Sequence, residues 1–378
     1  MKSKVQFFLL LLLLASAQAE AQLSKWQKGV LVDEFIFESA PFPESHAATI
    51  AEAPSGLIAA WFGGTKERNP DVEIWTSRRV GNKWTAPVSV ANGIVNDTLR
   101  YACWNPVLYQ VPGGDLLLFY KVGPNVGGWK GWMKTSSDDG LTWSAAKPLQ
   151  EGFLGPVKNK PMMVSNGNII APSSTEGNGW KLHFEISEDK GVTWRKVGPI
   201  NDGKTLTSIQ PSILLHKDGK LQVLARSKER ALIESWSTDN GETWTPVAKA
   251  SLPNNNSGTD AVTLKDGRHL LVYNHVYPHD TLKNGKGPRT PLNVAVSKDG
   301  KKWFAAAILE DSPISQYSYP SVIQSADGMV HIVYTWRRKK IKYVKLDPSK
   351  LKLVEIKNGQ WPAVKGYEAP TAGEITKD

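Results

Sequence analysis

The sequence predicts an all-β chain folded as a six-bladed β-propeller, and two independent repeats carry that expectation. The first is an octet of the form Ser-x-Asp-x-Gly-x-Thr-Trp, present without a gap at Ser136–Trp143, Ser187–Trp194 and Ser237–Trp244. The second is a polar turn that closes on glycine and runs into an apolar strand, at Gly56, Gly114, Gly167, Gly219, Gly267 and Gly328. Those glycines lie 48 to 61 residues apart. Six hairpins at that period imply six blades, because one small hairpin cannot bury its own apolar faces and must stack against its neighbours.

Each element has a physical reason. In the octet, Ser and Asp side chains satisfy backbone donors of a turn, Gly supplies a positive φ, and Trp anchors the hairpin. Two degenerate copies flank the three: Ser297–Trp303 is one residue shorter, and Ser77–Trp84 has Arg79 where Asp is expected. Ahead of the first hairpin, Val30 to Phe37 alternates like a strand but has no partner nearby, so it is expected to close the ring against the last blade. Residues 24–360 thus read as one propeller, followed by a tail at 361–378. Lys2 and Lys4 precede an apolar run that ends near Ala15, with small residues at Ala17 and Ala19. Residues 1–19 therefore read as a signal peptide, and the mature chain as secreted or periplasmic and free of the membrane.

Composition narrows the partners. The chain has 378 residues, with 46 Lys+Arg against 36 Asp+Glu, for a net charge of +10. Removing Lys2 and Lys4 leaves 10 − 2 = +8, a balance suited to acidic glycans. Lys217, Lys220, Lys298, Lys301 and Lys302 fall in turns and read as solvated loop charges. The one dense basic run, Arg337 to Lys342, has no aromatic interleaving of the kind nucleic acid requires, so no nucleic-acid partner is expected. The single cysteine, Cys103, excludes an internal disulfide and a cysteine-clustered metal site, and no metal or cofactor is expected.

The chemistry should lie where the inner hairpins open, opposite their turns. About nine residues before each turn glycine stand His46, Asn105, Lys158, Gln210, Ser257 and Tyr319, and about seven after it stand Gly63, Lys121, Ser174, Arg226, Asn274 and Thr335. Basic and amide groups dominate, which suits a carboxylate or sulfate on a substrate. His46 is a candidate general acid or base, with His275 and Glu176 as further candidates. Asp260 follows a polar loop from Asn254 and is either a substrate hydrogen-bonding residue or a turn cap. Val126 to Trp132 is glycine-rich and carries Trp129 and Trp132, a composition suited to a sugar subsite, although packing beneath a blade edge would explain each ring equally well.

The octet is the Asp-box, or bacterial neuraminidase repeat, and with six blades the chain resembles the sialidase (neuraminidase) superfamily over nearly its whole mature length. That resemblance implies a glycosidase acting on a terminal acidic sugar such as sialic acid, with an arginine clamp for the carboxylate, a tyrosine nucleophile and a first-blade aspartate as acid/base. Arg226 matches the fourth-blade clamp arginine, Arg289 the fifth-blade one, and Tyr319 the nucleophile. Asp71 stands on the matching first-blade loop beside Arg68, with Glu67 and Glu73 as competitors. Two positions depart from the pattern: His46 replaces the first clamp arginine, and Gln210 stands where a glutamate would activate the tyrosine. An amide cannot serve as that base. The substituted positions leave open a lyase or glycosidase for a uronate sugar, or a glycan-binding propeller without catalysis.

Overall fold

The computed structural model describes residues 25–312 and 316–363; residues 1–19 of the expected signal peptide and all but the first three residues of the tail lie outside them. The strands form six antiparallel sheets of four or five strands, plus a separate two-stranded hairpin of Ile94–Asn96 with Leu99–Arg100. The six inner hairpins are Glu44–Ala53 with Gly56–Gly64, Ala102–Gln110 with Leu116–Gly123, Met162–Met163 with Ile169–Thr175, Ser208–Leu215 with Leu221–Ser227, Asp260–Thr263 with His269–Tyr273, and Tyr317–Gln324 with Val330–Trp336. Each is blade one to six in chain order. All eight residues of Leu116–Gly123 and all seven of Leu221–Ser227 are buried. Such continuous runs, rather than alternation, arise because each sheet is covered on both faces by neighbouring blades.

The ring closes as the alternation of Val30 to Phe37 foretells: Val30–Phe35 pairs antiparallel with Lys340–Leu346 as the outermost strand of blade six. Arg79, the anomaly of the first degenerate octet, serves this closure. Its guanidinium bonds Glu34 of the closing strand at 2.5 Å and lies over the Tyr343 ring at 4.6 Å. A second late strand, Val354–Glu355, adds to blade five, and Trp361 then packs on Trp26 and His275, so the chain stays engaged beyond residue 360.

The octets are turns held from within. Asp138 accepts from the Ser136 hydroxyl at 2.8 Å and the Thr142 amide at 2.9 Å, and the Ser136 oxygen accepts from the Gly140 amide. Asp189 and Asp239 repeat the pattern. These carboxylates are solvent-facing and absorbed in their own turns, which makes them scaffold.

Bulges position the functional residues. Ala47, Asn105, Gln210 and Tyr319 have φ of 55°, 34°, 58° and 53°, and each lies in a register shift near the start of its blade's first strand. An extra residue there twists the strand and re-aims the side chain that follows. Positive φ is costly for a residue as large as tyrosine, and neighbouring blades hold the geometry. The Ala47 amide donates to Thr335 Oγ1 at 3.2 Å, and the Gln210 amide donates to Ser174 Oγ at 3.2 Å.

Candidate active site

Tyr319 is the centre of the mouth. Its hydroxyl oxygen accepts from Arg226 Nη1 at 2.7 Å and from Gln210 Nε2 at 3.3 Å. Arg226 also donates from Nε to Asn256 Oδ1 at 2.8 Å and from Nη1 to Gln210 Oε1 at 3.3 Å, and it lies between the rings of Trp180, at 5.2 Å, and Tyr319, at 5.8 Å. Arg289 approaches the Tyr319 ring at 5.5 Å and donates to Gln316 Oε1. The ring of His46 packs on that of Tyr319, with centroids 4.3 Å apart, while its Nδ1 shares a 2.8 Å hydrogen bond with Thr335 Oγ1. Five residues named from sequence thus meet at one point: Tyr319, Arg226, Arg289, His46 and Gln210.

Two further cations stand at this point, Lys158 from the lead-in to the first strand of blade three and Arg338 from a turn outside the strand starts. Lys158 Nζ stands 5.7 Å from the Tyr319 ring centroid and donates to the carbonyls of Thr259 and Pro320 at 2.9 and 2.6 Å. Burial pulls its pKa down to about 7, against the opposing pull of Asp260. Gly258 makes room for it: a Cβ there would stand 2.8 Å from Lys158 Cε and 3.1 Å from Gln210 Oε1. Arg338 comes from the blade-six turn, pairs with Glu67, and is close enough to depress the pKa values of both His46 and Arg289. It brings a third arginine to the mouth from the opposite side of the ring closure to the one the first-blade pattern supplies. The basic run at Arg337 was its only signal.

The field of these cations sets the chemistry. Burial first, then Arg338, Arg289, Arg226 and Lys158, hold the His46 pKa well below its usual value, so its imidazole is neutral at pH 7. Burial raises the pKa of Glu176 against the pull of Arg226 and Lys228, which suits a carboxylic acid that can donate a proton. Asp71 behaves oppositely: burial raises its pKa, but two hydrogen bonds from Thr65 outweigh that and leave it low. The carboxylate of the same loop that faces the mouth is Glu67, which acts on both Arg289 and Glu176. Glu73 is occupied by Arg100 at 2.7 Å. Among the described residues, no carboxylate hydrogen-bonds the Tyr319 hydroxyl.

The other candidates fall elsewhere. Asp260 is a buried hub rather than a mouth residue, accepting from Asn159, Lys160, Ser212 and the Val322 amide across blades three, four and six. His275 is buried among Tyr273, Tyr277 and Trp361, and burial lowers its pKa to about 4. Lys121 is wholly buried and donates to the carbonyls of Asn105 and Pro156, with its pKa lowered to about 7 by burial. Asn105 holds a bulge, and Arg68 is exposed at φ 83°. Trp132 lines a separate 380 Å³ cavity with Tyr120, Lys134 and Ile94. Trp129 is buried edge-on against Trp104 and offers no free face, yet its loop and Glu176 line a 520 Å³ cavity between blades two and three.

The six sheets, the Asp-box turns and this polar mouth define a sialidase-like propeller. Residues 55–332 match the BNR repeat-like domain, and the chain belongs to that family. A sialidase from Paraclostridium sordellii is 26% identical over 239 residues, which is 54% of this chain and 56% of that protein. A sialidase from Clostridium perfringens is 27% identical over 131 residues, 30% of this chain and 34% of that one. The chain therefore spans between a third and just over half of the length of these relatives. Among solved structures, the intramolecular trans-sialidase from Ruminococcus gnavus superposes with a TM-score of 0.67 over 86% of this chain and 99% of its own, at 15% identity.

Proposed function

We propose that this protein is an exported, exo-acting glycoside hydrolase that removes a terminal carboxylate-bearing sugar from a glycan. The observation that carries this reading is the convergence of Arg226, Arg289 and Lys158 on the Tyr319 ring, a cationic socket with a hydroxyl at its centre. The arginines bind the sugar carboxylate, and bidentate guanidinium contacts fix its orientation. Tyr319 faces the anomeric carbon, and Glu176, whose pKa burial raises, protonates the departing glycosidic oxygen. The sialidase relatives support the glycosidase class.

A second reading, β-elimination on a uronate sugar, is favoured by Gln210. With an amide in place of a carboxylate base, neutral His46 beside Tyr319 suits abstraction of the C5 proton next to the sugar carboxylate. The C4–O4 bond then breaks, the C4=C5 double bond forms and the O4-linked sugar leaves with a proton from Tyr319, while the arginines neutralise the developing charge. One experiment separates the two. The purified protein is incubated with sialosides, with uronate-terminated oligosaccharides and with oligosaccharides of 4-linked uronates. Hydrolysis releases a saturated acidic monosaccharide, whereas elimination between 4-linked uronates gives an unsaturated product absorbing near 235 nm. If neither product forms, both readings fail.

A further inference from the structure

The face opposite the mouth carries a cavity that the proposed reaction leaves unused. It measures 610 Å³ and lies between blades four and five, where the inner-hairpin turn after Ser208–Leu215 meets the last Asp-box turn. The lysines that appear scattered in sequence meet here. Lys217 and Lys220 come from the first turn and Lys298 and Lys301 from the second, and all four are exposed. Lys217, Lys298 and Lys301 make no ion pair among the described residues, whereas Lys220 is paired with Asp218 at 2.7 Å. The other acid of the lining, Asp299, is absorbed by its own turn, accepting from the amides of Lys301 and Lys302. Four lysines against Asp218 and Asp299 leave the lining with a net charge of 4 − 2 = +2.

Its floor is built. The partly exposed Trp236 ring is braced by His216, with centroids 4.8 Å apart, and carries Lys301 Nζ 5.4 Å from its centroid. Beneath it runs a directional chain of hydrogen bonds. Gln222 Nε2 donates to Glu234 and to the Gly300 carbonyl, so Gln222 Oε1 turns to His216 Nε2 at 3.2 Å. His216 Nε2 must then carry the proton, leaving Nδ1 to accept from His269 Nε2 at 3.2 Å, and His269 Nδ1 to accept from Thr263 Oγ1 at 3.0 Å. Every donor and acceptor is matched only if both imidazoles are neutral. Glycines leave the space for this: a Cβ on Gly300 would lie 1.9 Å from Gln222 Oε1, and one on Gly267 would lie 2.1 Å from Lys217 Cε.

We infer that this groove is a second, non-catalytic binding site for an acidic oligosaccharide. An indole with Lys301 over it, and unpaired Lys217 and Lys298 in the same lining, suits a sugar ring that stacks on its apolar face while its carboxylate or sulfate meets the lysines. A continuous nucleic-acid strand calls for a series of stacking rings, and here there is one tryptophan. Because the site stands at the far ends of the strands from Tyr319, it binds a different stretch of glycan. Its contribution is to hold the protein on a polyanionic glycan, which raises the local concentration of chain ends at the mouth. The inference stands whether or not the mouth performs the proposed reaction.

The test is calorimetric titration of the intact protein with two probes, a size-defined oligogalacturonate and a heparin-derived hexasaccharide, at low and high salt. At the groove the expected result is saturable 1:1 binding that weakens with salt, separated from any binding at the mouth by repeating the titration with Arg226→Met. Lys217→Glu combined with Lys301→Glu should weaken it at least about tenfold. Arg226→Met in the mouth, and a control pair Lys83→Glu with Lys147→Glu, should leave this binding within about twofold. The inference is overturned if neither probe binds at low salt, if the groove variant binds as wild type, if the control pair weakens binding equally, or if an oligothymidylate of matched charge binds as tightly.

Discussion

Replacing Arg226 with Met keeps the aliphatic stem over Trp180 and removes the guanidinium. Three hydrogen bonds go with it, to Asn256, to Gln210 and to the Tyr319 hydroxyl. Losing one partner of a desolvated charged contact with substrate costs about 2–5 kcal/mol, and a middle value of about 3 kcal/mol corresponds to roughly 150-fold in kcat/KM. The fold loses less. Asn256 and Gln210 each lose a partner, at about 1 kcal/mol apiece, so Tm should fall by only a few degrees. The assay compares kcat/KM for the cleaved acidic glycan and for the same glycan with its terminal carboxylate reduced to an alcohol. The acidic substrate should lose about two orders of magnitude, and the alcohol, already poor, should barely change. Equal losses on both substrates, or a loss under about threefold on the acidic one, would refute a carboxylate clamp at Arg226.

Gly258→Ala should cost about 1–3 kcal/mol and displace Lys158 and Gln210, lowering both Tm and turnover; a variant with unchanged turnover would mean that Lys158 plays no part in shaping the mouth. Asp260→Asn breaks an ion pair with Lys160 at a buried hub that bonds blades three, four and six, and should cost about 3–5 kcal/mol, or about 5 °C in Tm, measured by calorimetry. His275 is neutral in the fold, with its pKa lowered to about 4 by burial, while in the unfolded chain it takes a proton near pH 6.5. Its contribution of about 3 kcal/mol is therefore complete above pH 6.5 and lost as pH falls toward 4, so His275→Gln should flatten the acid side of the stability curve in urea titrations at pH 7.5 and 4.5.

The architecture was legible because it repeats. Each hairpin glycine and each octet is a local turn with its own chemistry, and six copies at one period leave a single topology. Arg226 and Tyr319 could be placed by counting from those glycines, and Arg289 from the octet that follows it. What counting could not reach was the bulges. One extra residue at Ala47, Asn105, Gln210 or Tyr319 has no periodic signature, yet it decides which side chain enters the mouth. Lys158 could be counted to a strand start, but its approach to Tyr319 depends on the empty space at Gly258, and Arg338 was missed because it enters from a turn of blade six rather than from a strand start. Asp260 at a strand start and His275 just past a strand end lie at the polar end of blade five that suggested a substrate role, but their partners lie inside the protein. The turn lysines looked solvated singly, since only the ring brings residues 217 and 301 to one cavity.

Under the proposed function, the cationic mouth around Tyr319 processes a terminal acidic sugar. The most direct test is mass-spectrometric analysis of the products released by wild type and by Tyr319→Phe from a panel of oligosaccharides that differ only in a charged or neutral terminus. The account predicts loss of a single acidic residue from the non-reducing end, abolished by Tyr319→Phe. Cleavage of neutral termini in preference to acidic ones, or acidic-terminus cleavage that persists undiminished in Tyr319→Phe, would contradict it.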